Sequence, residues 1–312
     1  MFTLRRIDGP TGLSPAMFRR PAVSIGVFDG VHRGHRHVLE ELRALADREE
    51  GDAVVVTFDT HPRAILQGGA PMPLLSLPHR LLLLERLGVD ATVVLPFDAE
   101  VANTTYERFV TDVLVAGIGV RTLLFGYNTN FGRGGLGTIG TVAPLAQRLG
   151  FSVHEAPSIR VRGEPISATR IRRAIERGDL AEANELLGRP HSLLGTVVRG
   201  DGRGRTLGFP TANVDVGNEL LPPSGVYQVV AEIRRRRYAA VANVGVRPTF
   251  PGARPPRPLL EVHVPGVDFD FYGDTIEVEL VRRIRDEVRF PSREALIAQI
   301  RSDVASLGGP PP

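Results

Sequence analysis

The stretch Gly26-Val27-Phe28-Asp29-Gly30-Val31-His32-Arg33-Gly34-His35 follows directly on the apolar run Ala22-Val23-Ser24-Ile25. It reads as a buried strand that runs into a glycine-rich turn and then into a helix beginning near His35. Glycines at 26, 30 and 34 permit close approach of the backbone to a ligand, or positive φ. The helix start offers unpaired N–H groups and the positive end of a dipole, which suit phosphate. His32 and His35, three apart, can add hydrogen bonds to phosphate oxygens. The combination points to nucleotide binding and attack at phosphorus, without a P-loop lysine. Half of a zinc site and a glycine turn with solvated histidines are the competing readings. No other segment has ligand spacing, and the chain has no cysteine.

Outward from this stretch, residues 1–187 alternate strand and helix. The β-branched run Ala53–Phe58, the run Ala91–Leu95 and residues 121–125 and 152–156 read as strands. Residues 78–88, 106–116 and 141–149 have helical spacing. This rhythm predicts a parallel sheet with helices on both faces and ligands beyond the carboxyl ends of the strands. Helices are expected over 168–177 and Leu180–Leu187, each stopped by a glycine. The pattern then changes. Residues 194–199, 227–233, 238–244, 259–264 and 275–282 read as short strands without intervening helices, and Ser292 opens one last helix. A small antiparallel β-barrel with a trailing helix is expected over 188–312. Arg234 to Arg237 reads as a solvated hairpin tip.

The chain has 312 residues, 42% apolar and 23% charged, enough for two soluble domains. Its net charge of +3 does not require nucleic acid; basic pockets for anionic substrates suffice. Absence of cysteine excludes disulfides and thiolate catalysis and is compatible with the cytoplasm. No segment has the length of apolar sequence that spans a membrane, and the first residues lack an apolar signal core. No obligate protein partner is implied.

Ile166-Ser167-Ala168-Thr169-Arg170-Ile171-Arg172 opens a helix after the last α/β strand. Its hydroxyls can cap the helix or bind phosphate, with Arg172 adding a charged fork. In the second half, Gly200-Asp201-Gly202-Arg203-Gly204-Arg205-Thr206-Leu207-Gly208-Phe209-Pro210-Thr211-Ala212-Asn213 suggests a loop closing over phosphates with backbone N–H groups and Arg205. Thr211 and Asn213 carry hard oxygen ligands on one side of an extended segment, which suits Mg²⁺. Glu261, in Leu260-Glu261-Val262-His263-Val264, is a carboxylate on an otherwise apolar strand and the candidate general base; a salt bridge is the alternative. His263 points the same way and can help hold the strand.

The first stretch resembles the HxGH signature of nucleotidylyltransferases, in the longer form of bacterial FAD synthetases. Residues 166–172 resemble their ISSTxxR motif, with Ala168 in place of a second serine. Thr57-Phe58-Asp59-Thr60-His61-Pro62 is similar to their TFDPHP loop, with Thr60 for a proline. The loop from Phe125 to Gly132 resembles their G-x-(D/N)-F-x-F-G loop, with Thr129 for an aromatic. The glycine-rich string resembles GxGRxxGFPTAN of riboflavin kinases. Ala242-Asn243-Val244-Gly245-Val246-Arg247-Pro248-Thr249-Phe250 resembles their NIGxRPTF stretch, and the Glu261 strand their LExHI strand.

The chain as a whole resembles the bacterial bifunctional riboflavin kinase/FAD synthetases. The resemblance implies a Rossmann-like nucleotidylyltransferase domain followed by a riboflavin kinase barrel. It implies ATP-dependent phosphorylation of riboflavin to FMN, then adenylylation of FMN to FAD with release of pyrophosphate. Gly26, Phe28, Asp29 and Gly34 would contact ATP around His32 and His35, with Ser167, Thr169 and Arg172 on the pyrophosphate. His61 and Asn128 would line the flavin pocket. Gly200, Gly202, Arg205 and Gly208 would hold the second ATP, Thr211 and Asn213 its Mg²⁺, and Glu261 would be the base. The departures at Thr60, Ala168 and Thr129 leave one alternative: a riboflavin kinase whose N-terminal domain binds but does not adenylylate.

Overall fold

The computed structural model describes residues 4–200, 203–246, 258–267 and 271–308. By contacts the chain divides into two units. The first comprises Met1–Pro73 and Leu77–Ala168; the second comprises Leu74–Ser76 and Thr169–Pro312. The division falls earlier than the expected junction at 187/188, and helices after Ala168 go with the barrel.

The first unit is built on a six-stranded parallel sheet of order β1-β4-β3-β2-β5-β6. Its strands are β1 (Arg5–Asp8), β2 (Ala22–Ile25), β3 (Ala53–Phe58), β4 (Ala91–Leu95), β5 (Thr122–Phe125) and β6 (Ser152–Glu155). β2 to β5 are buried along their whole length, which is why they read as unbroken apolar runs. β1 was not expected. Three of its four residues, Arg5, Arg6 and Asp8, are exposed on the sheet edge and give no apolar signal.

α1 (Arg33–Arg48) follows β2 and buries Val38, Leu39, Leu42 and Ala46 on one face. α2 (Pro62–Leu66) and α3 (Leu77–Arg86) lie between β3 and β4. α4 (Ala99–Asn103) and the single turn α5 (Tyr106–Arg108) follow β4. The helix expected over 106–116 differs: after α5 the chain widens into a π-helix, Phe109–Ile118. Its buried Phe109, Leu114 and Ile118 recur five and four residues apart, which the wider turn aligns on one side. α6 (Ile139–Leu149) precedes β6 and has a Thr138/Thr141 capping box. A small hairpin, β7 (Arg160–Val161) and β8 (Glu164–Pro165), ends the unit.

From β2 the chain builds outward through β3 to β4, then crosses to the other side of β2 to form β5 and β6. The order reverses between β2 and β5. In doubly wound sheets the ligand crevice opens at that reversal, beyond the carboxyl ends of the strands.

The second unit contains a closed antiparallel barrel of order β10-β13-β12-β11-β14-β9. Its strands are β9 (His191–Val198), β10 (Ala212–Asp215), β11 (Gly225–Ile233), β12 (Arg236–Val246), β13 (Pro258–His263) and β14 (Thr275–Arg285). α7 (Ala168–Glu176) and α8 (Leu180–Leu187) precede it. α8 goes with the barrel because Leu180 belongs to the barrel core and Asn184 bonds the Leu280 carbonyl and the His191 amide. The barrel core is one cluster of buried residues, including Val229, Leu260, Val262, Ile276, Val278 and Leu280.

The arginine run is only partly a turn. Arg234 and Arg235 are left-handed and join β11 to β12, while Arg236 and Arg237 lie in β12, where Arg237 pairs with Glu279. One turn of helix, α9 (Arg203–Thr206), forms within the glycine-rich loop. α10 (Arg293–Ala305) closes the chain, capped by Ser292 as expected and tied to β14 by Arg285 and Asp303.

Candidate active sites

The first site lies at the reversal point of the parallel sheet. A cavity of about 650 Å³ opens there, and Gly26, Phe28, Asp29, His32, Gly34 and His35 form one wall. His61 reaches it from the loop after β3, Asn128 from the loop after β5, and Ser167 from the segment before α7. The three resemblance-bearing loops of this unit thus meet in one cleft.

His32 is the N-cap of α1; its Nδ1 accepts the His35 amide at 3.2 Å. Serine, threonine, asparagine or aspartate usually does this. A neutral ring whose Nδ1 accepts carries its proton on Nε2. The His35 ring stacks on the His32 ring with centroids 3.6 Å apart. Desolvation in the cleft, then the charges of His32 and Arg80, hold His35 well below the usual histidine pKa. His35 is therefore neutral at neutral pH, and its buried Nδ1 has no protein partner.

The backbone of this turn is unusual. Phe28, Gly30 and Val31 have φ of 51°, 82° and 39°. Of the expected glycines only Gly30 uses positive φ. Gly34 is close-packed: a Cβ there would lie 3.2 Å from the His32 ring, which would have to shift to admit it. His61 is also a cap, accepting the Arg63 amide at the start of α2. Asn128 is exposed and left-handed, φ 58°, in a turn closed from Thr129 to Gly126. Thr169 and Arg172 lie on α7, in the second unit by contacts, and Arg172 is buried.

The second site is a row across three barrel strands. Asn213 on β10 stands opposite Glu261 on β13, which stands opposite Asn243 on β12. Their strand neighbours Ala212, Val214, Ala242, Val244, Leu260 and Val262 all belong to the core. Alternation therefore turns all three polar residues away from the barrel interior. The Oδ1 atoms of Asn213 and Asn243 are buried without a protein partner. Orphaned acceptors beside a carboxylate form a set of hard oxygen atoms that fits a divalent cation or a donor-rich substrate.

Thr211 immediately precedes β10, two residues before Asn213. Gly200 packs over the Asn213 amide, where a Cβ would come within 1.9 Å of its nitrogen. Arg205 is exposed on α9, and Gly208 follows with φ 84°. Gly202 and residues 247–250 lie outside the described residues. His263 Nδ1 donates to the Pro210 carbonyl at 2.8 Å, fastening β13 to the segment that carries Thr211.

Asn243 was quoted from the sequence but given no role, because only strand register shows that it flanks Glu261. Arg80 was missed as well. A charged residue inside the leucine-rich α3 was its only signal.

The family model for FAD synthetase matches residues 15–170, and that for riboflavin kinase matches residues 187–308. The bifunctional riboflavin kinase/FMN adenylyltransferase of Haemophilus influenzae is 37% identical over 285 residues, covering 91% of this chain and 92% of that one. The Escherichia coli (strain K12) protein of the same name is 37% identical over 302 residues, covering 96% of each chain. The chain belongs to the bifunctional riboflavin kinase/FMN adenylyltransferase family. The cleft of the parallel sheet falls within the FAD synthetase match, and the barrel row within the riboflavin kinase match. A solved structure from Streptococcus pneumoniae, named a macrolide-efflux protein, is also similar. It is 30% identical with a TM-score of 0.82, covering 97% of this chain and 98% of that one. Among the described residues of this chain, no helix is long and apolar enough to cross a membrane.

Proposed function

We infer that this chain makes FAD from riboflavin in two ATP-dependent steps, one in each site. The barrel transfers the γ-phosphoryl group of ATP to the ribityl 5′-hydroxyl of riboflavin, giving FMN and ADP. The parallel-sheet unit then joins the FMN phosphate to the α-phosphorus of a second ATP, giving FAD and pyrophosphate. The observation that carries this reading is the pairing, on one chain, of two separate constellations within the two family matches in the same order.

In the barrel, Glu261 accepts the proton of the ribityl hydroxyl as its oxygen attacks the γ-phosphorus. The N–H groups of the glycine loop and Arg205 face the phosphates. Thr211 and the unpartnered Oδ1 of Asn213 are the donors that would hold Mg²⁺. When bound, the ion would neutralise negative charge on the phosphates. Phosphoryl transfer otherwise needs mainly positioning.

In the cleft, no covalent intermediate is needed. A phosphate oxygen of FMN attacks the α-phosphorus and the pyrophosphate oxygen leaves. The His32 and His35 rings donate N–H bonds to oxygens on which charge grows. Ser167, Thr169 and Arg172 hold the departing pyrophosphate. His61 and Asn128 bound the flavin pocket. The cytoplasm is the compartment we propose, in keeping with the use of ATP and the absence of cysteine.

The test is to supply riboflavin and Mg-ATP and separate the flavins over time. FMN should rise first and FAD follow, with pyrophosphate released in step with FAD. FMN as the final product would instead support a kinase with a non-adenylylating N-terminal unit.

A further inference from the structure

Arg80 lies in the first turns of α3, among buried leucines, and is itself only 6% exposed. Its guanidinium donates to two backbone carbonyls, Val27 at 2.6 Å and Phe58 at 2.5 Å. Phe58 is the last residue of β3, and Val27 stands two residues beyond β2. Each carbonyl is the root of one loop of the cleft. Val27 precedes the left-handed Phe28 and the His32/His35 turn, and Phe58 precedes Asp59 and His61.

A buried guanidinium is costly, and an apolar side chain of similar volume would often be as stable there. The carboxylates acting on it are Asp29 and Asp59, one in each of the same two loops. Burial nevertheless prevails and draws its pKa down to about 10, so it stays charged at neutral pH. The cation thus has the carbonyl or carboxylate of both loops as its surroundings, and its Nε makes no bond.

We propose that Arg80 is the positioning residue of the adenylyl-transfer site, its planar fork clamping the roots of the two loops and so setting where His32, His35 and His61 stand. The clamp needs two donors in a fixed plane, which lysine does not offer. It also puts a fixed positive charge near His35. The groups that act on His35 are His32 on its own helix and Arg80 from α3. Asp29 and Asp59 act on Arg80, and His61 lines the same cavity. With Arg80 in place, His35 resists protonation.

This inference rests on the adenylyltransferase reading, so the experiment uses the full chain and measures both activities. Arg80→Met and Arg80→Lys are assayed for FAD formation from supplied FMN, across pH, and for riboflavin phosphorylation as an internal control. Misplacing reacting groups by about 1 Å can cost about 10²-fold. FAD formation by Arg80→Met should fall by about that factor in kcat. Its acid limb should move to higher pH, because losing a cation lets His35 protonate more readily. Arg80→Lys should lose kcat but keep the acid limb of the parent. Both should phosphorylate riboflavin at the parent rate.

A folded Arg80→Met with the parent kcat, or with reduced kcat and an unmoved acid limb, overturns the proposal. If Arg80→Met does not fold, Arg80→Lys decides: reduced kcat supports the clamp, and parent kcat overturns it. A parent enzyme that makes no FAD from FMN overturns the adenylyltransferase reading itself, and this inference with it.

Discussion

Glu219 accepts two hydrogen bonds from Ser76, 143 residues earlier in the chain: from its amide at 2.9 Å and from its hydroxyl at 2.6 Å. The other carboxylate oxygen accepts the Leu194 amide at 2.9 Å. Glu219 is 3% exposed, so these donors matter to the barrel unit. Hydrogen bonds to charged groups contribute about 1.5–3 kcal/mol. Ser76→Ala removes one of them and should destabilise the second unit by an amount in that range. Urea unfolding followed through riboflavin phosphorylation would check it; an unchanged midpoint would count against a role for this contact.

A fragment of residues 188–312 keeps all six barrel strands and the Asn213–Glu261–Asn243 row. It should convert riboflavin to FMN and make no FAD. It lacks Leu180, which belongs to the barrel core, and Asn184, which bonds the His191 amide. A fragment of residues 169–312 restores both and should unfold at higher urea concentration. Equal midpoints for the two fragments would mean that α8 adds nothing to the barrel.

Glu261→Gln keeps size and removes the base. General acid–base catalysis is typically worth about 10²–10⁴-fold. FMN formation should fall by a factor in that range, while supplied FMN still becomes FAD. Kinase turnover near that of the parent would remove Glu261 from its assigned role.

His32 has two tasks that substitution can separate. Asparagine is a good N-cap but has no imidazole. His32→Asn should keep thermal stability close to that of the parent and still lose FAD formation. His32→Ala should lose both, with about 0.5–2 kcal/mol from the missing cap. If His32→Asn makes FAD at the parent rate, the ring serves the helix and not the reaction.

The depressed pKa of His35 sets a direction for acid sensitivity. Above the unfolded histidine value near 6.5 both states leave the ring neutral, and the folded form bears no penalty. As pH falls below that value the unfolded chain takes up a proton that the folded site resists. Stability is then lost, by at most about 1.4 kcal/mol per pH unit for one proton, until the folded pKa is passed. His35→Asn should flatten this slope between about pH 6.5 and 5. Parallel stability curves for parent and variant would contradict the assignment.

The sequence revealed elements whose both faces are covered, because burial writes itself as continuous apolar runs. Ala53–Phe58 is one such strand. It hid β1, whose arginines and aspartate sit on an exposed edge. The cleft was legible through its loops, since glycine and histidine in a strand–turn–helix context leave few readings. The capping by His32 was not, because imidazole is not the usual cap. Arg80 was hidden for a different reason. A cation in a leucine-rich helix looks like a solvated position until its two carbonyl partners, 53 and 22 residues away, are known. The polar row was half legible: Asn213 and Glu261 stood out, but cross-strand register alone brought in Asn243.

The alternation in the barrel has an evolutionary corollary. Each member of the polar row is flanked along its strand by residues of the core, and none of the three fills the interior. Mutations that silence phosphoryl transfer at Asn213, Asn243 or Glu261 therefore leave the apolar interior of the barrel filled. Selection for folding bears on them less than on the core residues beside them. A lineage that acquires FMN from elsewhere could lose the activity by drift and still inherit an intact barrel, a stable shell free to be recruited for binding alone.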